Sequence, residues 1–434
     1  LRRALSGDGR RLLLDDGRVE EAFYPVEAER DYAARGPVWS PGLFEARLEA
    51  GAGVTLTASA EPWGAAQAQG FDAAWDAELG RRARLVARAD PRLGDAVGAR
   101  LTWAADAFLF EPRGRFDLMA RTLAAGETPC SVIAGYPWFN DWGRDTMIAL
   151  EGLALLTGRF DEARAILLTF AAYERGGLIP NNIPDGGSDG VYHAADASLW
   201  FFHAVGRYLA HTGDQATLAR LLPTLVRILD AHRAGAAFGI GVDPADGLLR
   251  QGADGYMLTW MDSATPRRGK AVEINALWYN ALRLAAGWLA GLGDAEGAAR
   301  AGRDADRARL SFNARFWNPA SGHLFDLVDG ETGDDPALRC NQILALSLDH
   351  PVLDPCRWAA VADAVEAALL TPVGLRSLAP AAPDYRPAYA GDLHSRDFAY
   401  HRGTVWPWLI GPFVDARLRI DPARPERLRP LLAG

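Results

Sequence analysis

The segment AGYPWFNDWGRDTMIALEGL, residues 134–153, sets Tyr136, Trp138, Trp142, Asp141, Asp145 and Arg144 within ten positions and then runs into an apolar helix. Trp rings stack on the C–H face of a sugar, while Asp and Arg bind the hydroxyls around its edge. The cluster therefore reads as a sugar grip. A Trp-rich core loop with a buried Arg144–Asp145 pair is the plainer alternative. The helix that follows, Thr146–Leu156, is apolar nearly all round apart from Glu151, which marks an inner helix enclosed by others.

From about residue 98 onward the helical period repeats. Helices are expected near 98–111, 144–157, 160–174, 194–212, 214–235, 270–291, 294–316, 338–348, 357–370, 403–418 and 423–434. Short turns join several of them: Thr157–Asp161, Thr212–Asp214 and Leu292–Asp294 each offer a Gly to end one helix and an Asp to cap the next. The other connections, 113–143, 175–193, 235–270, 317–337 and 371–402, are long, and each leads into an inner helix. Alternating inner and outer helices with all long loops at one end are the pattern of an α/α barrel, with its site among those loops. The expected fold is mainly α, an (α/α)6 barrel one helix short of twelve.

The first hundred residues differ. Phe44, Ala46 and Leu48 alternate with charged neighbours, Gly51-Ala52-Gly53 turns the chain, and Val54, Leu56 and Ala58 alternate again, which is a β-hairpin pattern. Residues 1–60 read as the closing part of an N-terminal β-sandwich domain, 61–97 as a linking helical segment and 98–434 as the barrel. The chain begins with Leu, as if cut.

A net charge of −9 and a pI near 5.5 argue against nucleic acid. No apolar run reaches membrane-spanning length and no signal pattern opens the chain, so the expectation is a soluble, cytoplasmic protein without membrane partners. Cys130, Cys340 and Cys356 fit ordinary thiols, not a disulfide framework or a zinc site. No nucleotide or metal motif is present, and no cofactor is expected. Among 46 basic residues Lys270 is the single lysine, a compact ammonium in a background of Arg.

Each long loop delivers a polar cluster. The second carries Asn181 and Asp196 at its anchored ends, with Asp185 and Asp189 as turn formers. The third carries Leu258-Thr259-Trp260-Met261-Asp262, then Lys270 and Glu273. An acid beside Trp260 in an apolar run meets the requirement for a general acid, although Asp262 also fits the cap of a short turn. Lys270 and Glu273 suit an i, i+3 salt bridge, and Glu273 also stays open as a second catalytic carboxylate. The fifth loop adds His401, Trp406 and Trp408.

The segments AGYPWFNDWGRDTMIALEGL, GLIPNNIPD, DASLWFFHAV, LTWMD, TPRRGKAVEINALWYNAL, TPVGLRSL and AYHRGTVWPWLIGPF resemble the C-terminal family of bacterial glycogen debranching enzymes, the amylo-α-1,6-glucosidases. The resemblance spans roughly 330 residues. It implies a glucoamylase-like six-hairpin barrel that hydrolyses α-1,6-linked glucose at trimmed branches of glycogen or limit dextrin, with inversion. Trp142, Arg144 and Asp145 would hold the glucose and Asp262 would be the acid. Tyr136, Trp138, Asn181, Asp196, Trp260, Lys270, Glu273, His401 and Trp406 complete the expected substrate-binding set. The chain departs from the family pattern twice: only Ser263-Ala264-Thr265 separate Asp262 from Pro266, and the loop that brings the general base is expected beyond residue 434. Two rivals follow, another inverting barrel glycosidase of the trehalase or N-glycan glucosidase type, and a catalytically silent glycan-binding protein.

Overall fold

The computed structural model describes residues 2–6, 10–14, 19–40, 42–59, 62–64, 70–112, 114–124, 126–136, 139–184, 189–262, 264, 266–423 and 425–432. The chain divides into two units, Leu1–Arg88 with Gly391–His394, and Ala89–Ala390 with Ser395–Gly434.

The first unit is built from nested antiparallel pairs. β1 (Arg2–Ser6) pairs with β6 (Thr55–Ser59), β2 (Arg10–Leu14) with β5 (Gly42–Ala46), and β3 (Val19–Phe23) with β4 (Arg35–Trp39). The strands anticipated around residues 44 and 56 are both present, but they do not form a hairpin with each other. Alternation fixes which face of a strand is apolar and leaves the partner open. Helices α1 (Pro25–Glu29) and α2 (Phe71–Arg88) complete this unit.

The second unit is mainly helical. Its helices are α3 (Ala96–Asp106), α4 (Phe116–Ala124), α5 (Gly143–Leu150), α6 (Phe160–Ala172), α7 (Ala197–Thr212), α8 (Gln215–Ala234), α9 (Val272–Gly291), α10 (Ala295–Arg315), α11 (Leu344–Ser347) and α12 (Trp358–Leu369). α13 (Leu393–Ala399), whose first two residues group with the first unit, and α14 (Ile410–Ile420) follow. α5, α7, α9, α11 and α14 pack side by side in that order, and α6, α8, α10 and α12 back them from outside. This is the (α/α)6 barrel, with five inner helices among the described residues. α9 shows why it is inner: thirteen of its residues are buried, Trp278 and Leu282 among them. α4 and α13 lie within the segments 113–143 and 371–402, expected to be loops throughout. The helix expected at 423–434 is instead two short 3-10 turns, Pro425–Arg427 and Arg429–Leu432, since Pro422, Pro425 and Pro430 withhold backbone N–H groups.

The short turns work largely as their residues dictate. Gly213 adopts φ 66° after α7, and Asp214 accepts the Thr217 N–H at 3.0 Å; Asp294 caps α10 through the Gly297 N–H at 2.9 Å. Asp161 is the exception, lying inside the first turn of α6 while Arg159 takes the cap position. Glu151 opens a π-helical turn, Glu151–Leu155, at the end of α5. Burial opposes its charge, but hydrogen bonds from Arg207 and His211 outweigh that and hold its carboxyl down to about 2.

The opposite end gathers the long loops, and their spacing is set by close backbone contact. Gly143, at the start of α5, donates its N–H to the Asn181 carbonyl at 2.9 Å, and an added Cβ would meet the Pro180 carbonyl oxygen at 2.1 Å. Gly143→Ala is expected to force the first two loops apart and to cost roughly 1–3 kcal/mol, the usual range for overpacking. Thermal unfolding of the variant, read beside a Gly152→Ala control whose Cβ meets nothing within 4 Å, checks this.

Candidate functional site

The loop ends enclose a cavity of about 830 Å³, in the upper part of the range for small-ligand pockets. Nine of the anticipated binding residues and the anticipated acid reach it: Trp142, Arg144, Asp145, Asn181, Asp196, Trp260, Glu273, His401 and Trp406, with Asp262. Two others do not. Tyr136 is half-exposed, its ring tilted against Phe108 and its hydroxyl donating to the Ala107 carbonyl. Lys270 lies outside the lining. Trp138 falls outside the described residues, as does Asp185.

The first loop is fixed by a residue that looked like part of the grip. Asp141 is fully buried, paired with the Arg115 guanidinium and accepting the Ser131 hydroxyl at 2.7 Å. Arg115 also donates to the Ile183 carbonyl at 2.9 Å, and Asp141–Trp142 pairs with Asn182–Ile183 as a two-residue ladder. Trp142 is thereby presented to the cavity. Next to it, Arg144 does not pair with Asp145 but reaches Asp196 with two hydrogen bonds, 2.6 and 2.7 Å. Such a bidentate pair locks both side chains in one orientation. Asp145 opens onto the cavity while protein encloses its other sides; desolvation pushes its carboxyl up, and Arg144 offsets part of that.

An aromatic wall stands on the other side. The His401 ring stacks on Trp406 at 5.2 Å and meets Trp260 edge-on at 5.1 Å, and the Trp260 indole N–H donates to Asn341 at 2.9 Å. Burial, with Arg339, Arg144 and Arg267 nearby, holds His401 down to about 3, so its imidazole is neutral. His401 Nδ1, Trp406 Nε1 and Asn181 Oδ1 are buried polar atoms with no protein partner. Buried groups of this kind are ordinarily satisfied, which leaves them for a ligand's hydroxyls or for water.

Asp262 is buried on the lining and tightly held. Its Oδ2 accepts the backbone N–H groups of Leu258 and Thr259 at 2.7 and 2.9 Å, and its Oδ1 accepts the Thr259 hydroxyl and the Arg267 N–H at 2.5 and 3.2 Å. Both the cavity-facing position and the turn cap foreseen for it are present. Glu273 faces the cavity from the first turn of α9 with both oxygens on Arg267; burial pushes its carboxyl up and Arg267 counteracts. Arg267, Asp326 and Asn341 form the layer beneath and were not foreseen. Arg267 stands in the quoted TPRRG run, whereas Asp326 sits in the fourth loop with no motif around it.

Lys270 is explained by its surroundings. Its ammonium lies 2.9, 2.7 and 2.7 Å from Asp243, Asp246 and Asp329, three carboxylates whose oxygens lie within 4.8 Å of one another. A compact point charge fits among three carboxylates where a planar guanidinium does not. Burial works against its charge, but the three carboxylates prevail and raise it above its usual value. A backbone N–H and Lys270 hold Asp243 low, and Lys270 holds Asp329 low. The cluster thus stabilises the fold above the ordinary aspartate range near 3.8. That contribution fades as pH falls through it, and also as pH rises past the raised lysine. Lys270→Met is expected to cost roughly 1–3 kcal/mol at neutral pH, between the ranges for exposed and buried pairs, because Asp243, Asp246 and Asp329 stay partly in solvent. Urea titrations at pH 7 and pH 3 check it: the gap from wild type should shrink at the lower pH.

Comparison with known proteins follows the geometry. The sequence profile of the amylo-alpha-1,6-glucosidase family matches residues 104–433. The glycogen debranching enzyme of Saccharomyces cerevisiae is 30% identical over 402 residues, which cover 69% of this chain and 26% of that protein. Among solved structures, an uncharacterized conserved protein from Thermus thermophilus aligns at 16% identity with a TM-score of 0.52, over 74% of this chain and 90% of that one. The GH63 mannosylglycerate hydrolase of the same organism, in complex with glucose, aligns at 15% identity with a TM-score of 0.53, over 74% and 89%. These two likenesses concern the fold. No helix among the described residues is long and apolar enough to cross a membrane.

Proposed function

This chain belongs to the amylo-alpha-1,6-glucosidase family, a family of glycosidases, and we propose that it hydrolyses α-1,6-linked glucose at the branch points of glycogen or limit dextrin in the cytoplasm. One observation carries the proposal. A single cavity joins a charged and aromatic grip, Trp142, Arg144, Asp145 and Asp196, to a buried carboxylate, Asp262, on the segment between Trp260 and Arg267.

On this reading the Arg144–Asp196 pair and Asp145 bind the hydroxyls of a terminal glucose, and Trp142 and the Trp260–His401–Trp406 wall cover its faces. Neutral His401, with its partnerless Nδ1, adds a further polar contact. Asp262 protonates the glycosidic oxygen while a second carboxylate takes a proton from the water that attacks the opposite face, the inverting arrangement that sets the two carboxyl groups roughly 6.5–9.5 Å apart. In the present pose both oxygens of Asp262 meet N–H and O–H donors, so delivering a proton requires it to release at least one of them. The Arg267 backbone N–H, at 3.2 Å the longest of the four contacts, is the candidate. The same four donors favour a second reading, a glycan-binding chain without turnover in which Asp262 is only a turn cap.

Kinetics on an α-1,6-glucosyl-branched dextrin, with trehalose alongside, separate these readings. Asp262→Asn should lower kcat by about 10²–10⁴, the usual contribution of a general acid, and leave dextrin affinity nearly unchanged. Arg144→Ala should weaken affinity and slow turnover together. Near-normal turnover in Asp262→Asn would sink the acid assignment; dextrin binding with no turnover in wild type would leave the binding reading standing.

A further inference from the structure

The lining of the cavity records its depth. Asp196, Asp262, Glu273 and His401 are all at least nine-tenths withdrawn from solvent, whereas apolar side chains on the same lining stay open, Val191 at 37% exposure and three larger ones, Phe139 and Met257 at 48% and Tyr400 at 37%. The three larger ones come from the first, third and fifth loops. They therefore surround the entrance instead of forming one patch.

Phe139 and Tyr400 are held by ring contacts, and the chain before Met257 by the packing of Tyr256. The Phe139 ring meets Trp142 edge-on at 5.9 Å, and its N–H donates to the Gly135 carbonyl at 2.9 Å. Tyr400 packs against His401 at 4.6 Å and edge-on to Trp406 at 5.0 Å. Met257 follows Tyr256, whose ring completes a triangle with His193 at 4.6 Å and Phe238 at 4.8 Å. Phe238 carries φ 63°, a left-handed backbone that a bulky residue rarely adopts and that persists where surrounding packing enforces it. Apolar area left in water forgoes about 25 cal/mol per Å², and here three large side chains forgo it around one opening.

Their position relative to Asp262 decides what they meet. Met257 directly precedes Leu258 and Thr259, whose N–H groups hold the Asp262 carboxylate. The chain steps from open rim to buried acid within a few residues. On the glucosidase reading, a sugar seated on the floor would present its glycosidic oxygen to Asp262, and the unit beyond that oxygen would lead outward past Met257. Resting on the glucosidase reading above, we propose that Phe139, Met257 and Tyr400 form the leaving-group subsite, which takes the C–H face of the α-glucan unit that carries the cleaved glucose. The rim then selects oligosaccharide over free monosaccharide.

Calorimetric titration with two probes tests this: 1-deoxynojirimycin, which fills the floor alone, and an α-1,6-glucosyl maltotetraose, which extends past the rim. Met257→Ala should weaken the oligosaccharide roughly three- to tenfold, from the lost apolar contact, and leave 1-deoxynojirimycin within about twofold. Met257→Leu, which keeps the apolar bulk, should retain oligosaccharide affinity. Equal weakening of both probes, or of neither, overturns the subsite while the glucosidase reading stands. A wild-type protein that binds neither probe overturns both.

Discussion

The loop end of the barrel depends on the guanidinium of Arg267. All five of its N–H donors are engaged: Nε with Asp326, Nη1 with Thr259 and Glu273, and Nη2 with Glu273 and the Asp326 carbonyl. Its backbone N–H adds the contact to Asp262. One buried side chain thereby ties the third loop, the first turn of α9 and the fourth loop to each other. Two carboxylates lean on this cation, and Asp326 has Arg339 at 3.5 Å and the Asn341 amide besides, so losing Arg267 would leave Glu273 without its charge partner, at about 3–5 kcal/mol for a buried pair broken. The network is also directional. A planar fork with five donors admits few arrangements of its acceptors, which fixes the angles at which Thr259 and Glu273 meet the cavity.

The same device recurs between other loops. Arg115 with Asp141 sets the entry to α5, and Arg144 with Asp196 ties that entry to the start of α7. The first pair closes one long loop on itself, with Arg115 also reaching the second loop at the Ile183 carbonyl, and the second pair joins the first loop to the end of the second. At the other end of the barrel Gly–Asp turns close several helix pairs locally, and charge bridges such as Arg207 with Glu151 and Asp349 add to them. The division follows from connection length: a short turn is specified by its own residues, whereas a long loop is held only by what it touches.

That difference governs how far the sequence could be read. Helices α6 to α10 and α12 were legible within a few residues, since Gly213, Asp214 and Asp294 act on their own neighbours and the apolar period is local. Strands around Phe44 and Leu56 were legible as strands, but their partners, β2 and β1, lie outside any local pattern. Of the site, the residue types were legible and the pairings were not. Arg144 beside Asp145 suggested a pair, yet its geometry favours Asp196, fifty-two positions away. Lys270 stood out correctly as singular, but what makes it so is a ring of three aspartates from two other segments. Tyr136 shares the Trp-rich stretch with Trp142 and still points to the Ala107 carbonyl, because a loop alternates its faces without a fixed period.

Asp262 shows how these layers act together. The Thr259 hydroxyl has one hydrogen to give and two lone pairs to fill. Arg267 Nη1 and the Met261 N–H donate to it at 3.1 and 3.3 Å. Its own hydrogen is therefore left for Asp262 Oδ1, and the orientation of that hydroxyl is dictated by Arg267. Since Arg267 is in turn aimed by Glu273 and Asp326, the hydrogen bonding of Asp262 is set by carboxylates it does not touch. A change at Asp326, in a loop that gave no signal in the sequence, reaches the cavity through two hydrogen-bonded links. The four donors on Asp262 are thus one end of the network that holds the loops together, and any movement that frees this carboxylate has to be accommodated by Thr259 and Arg267 as well.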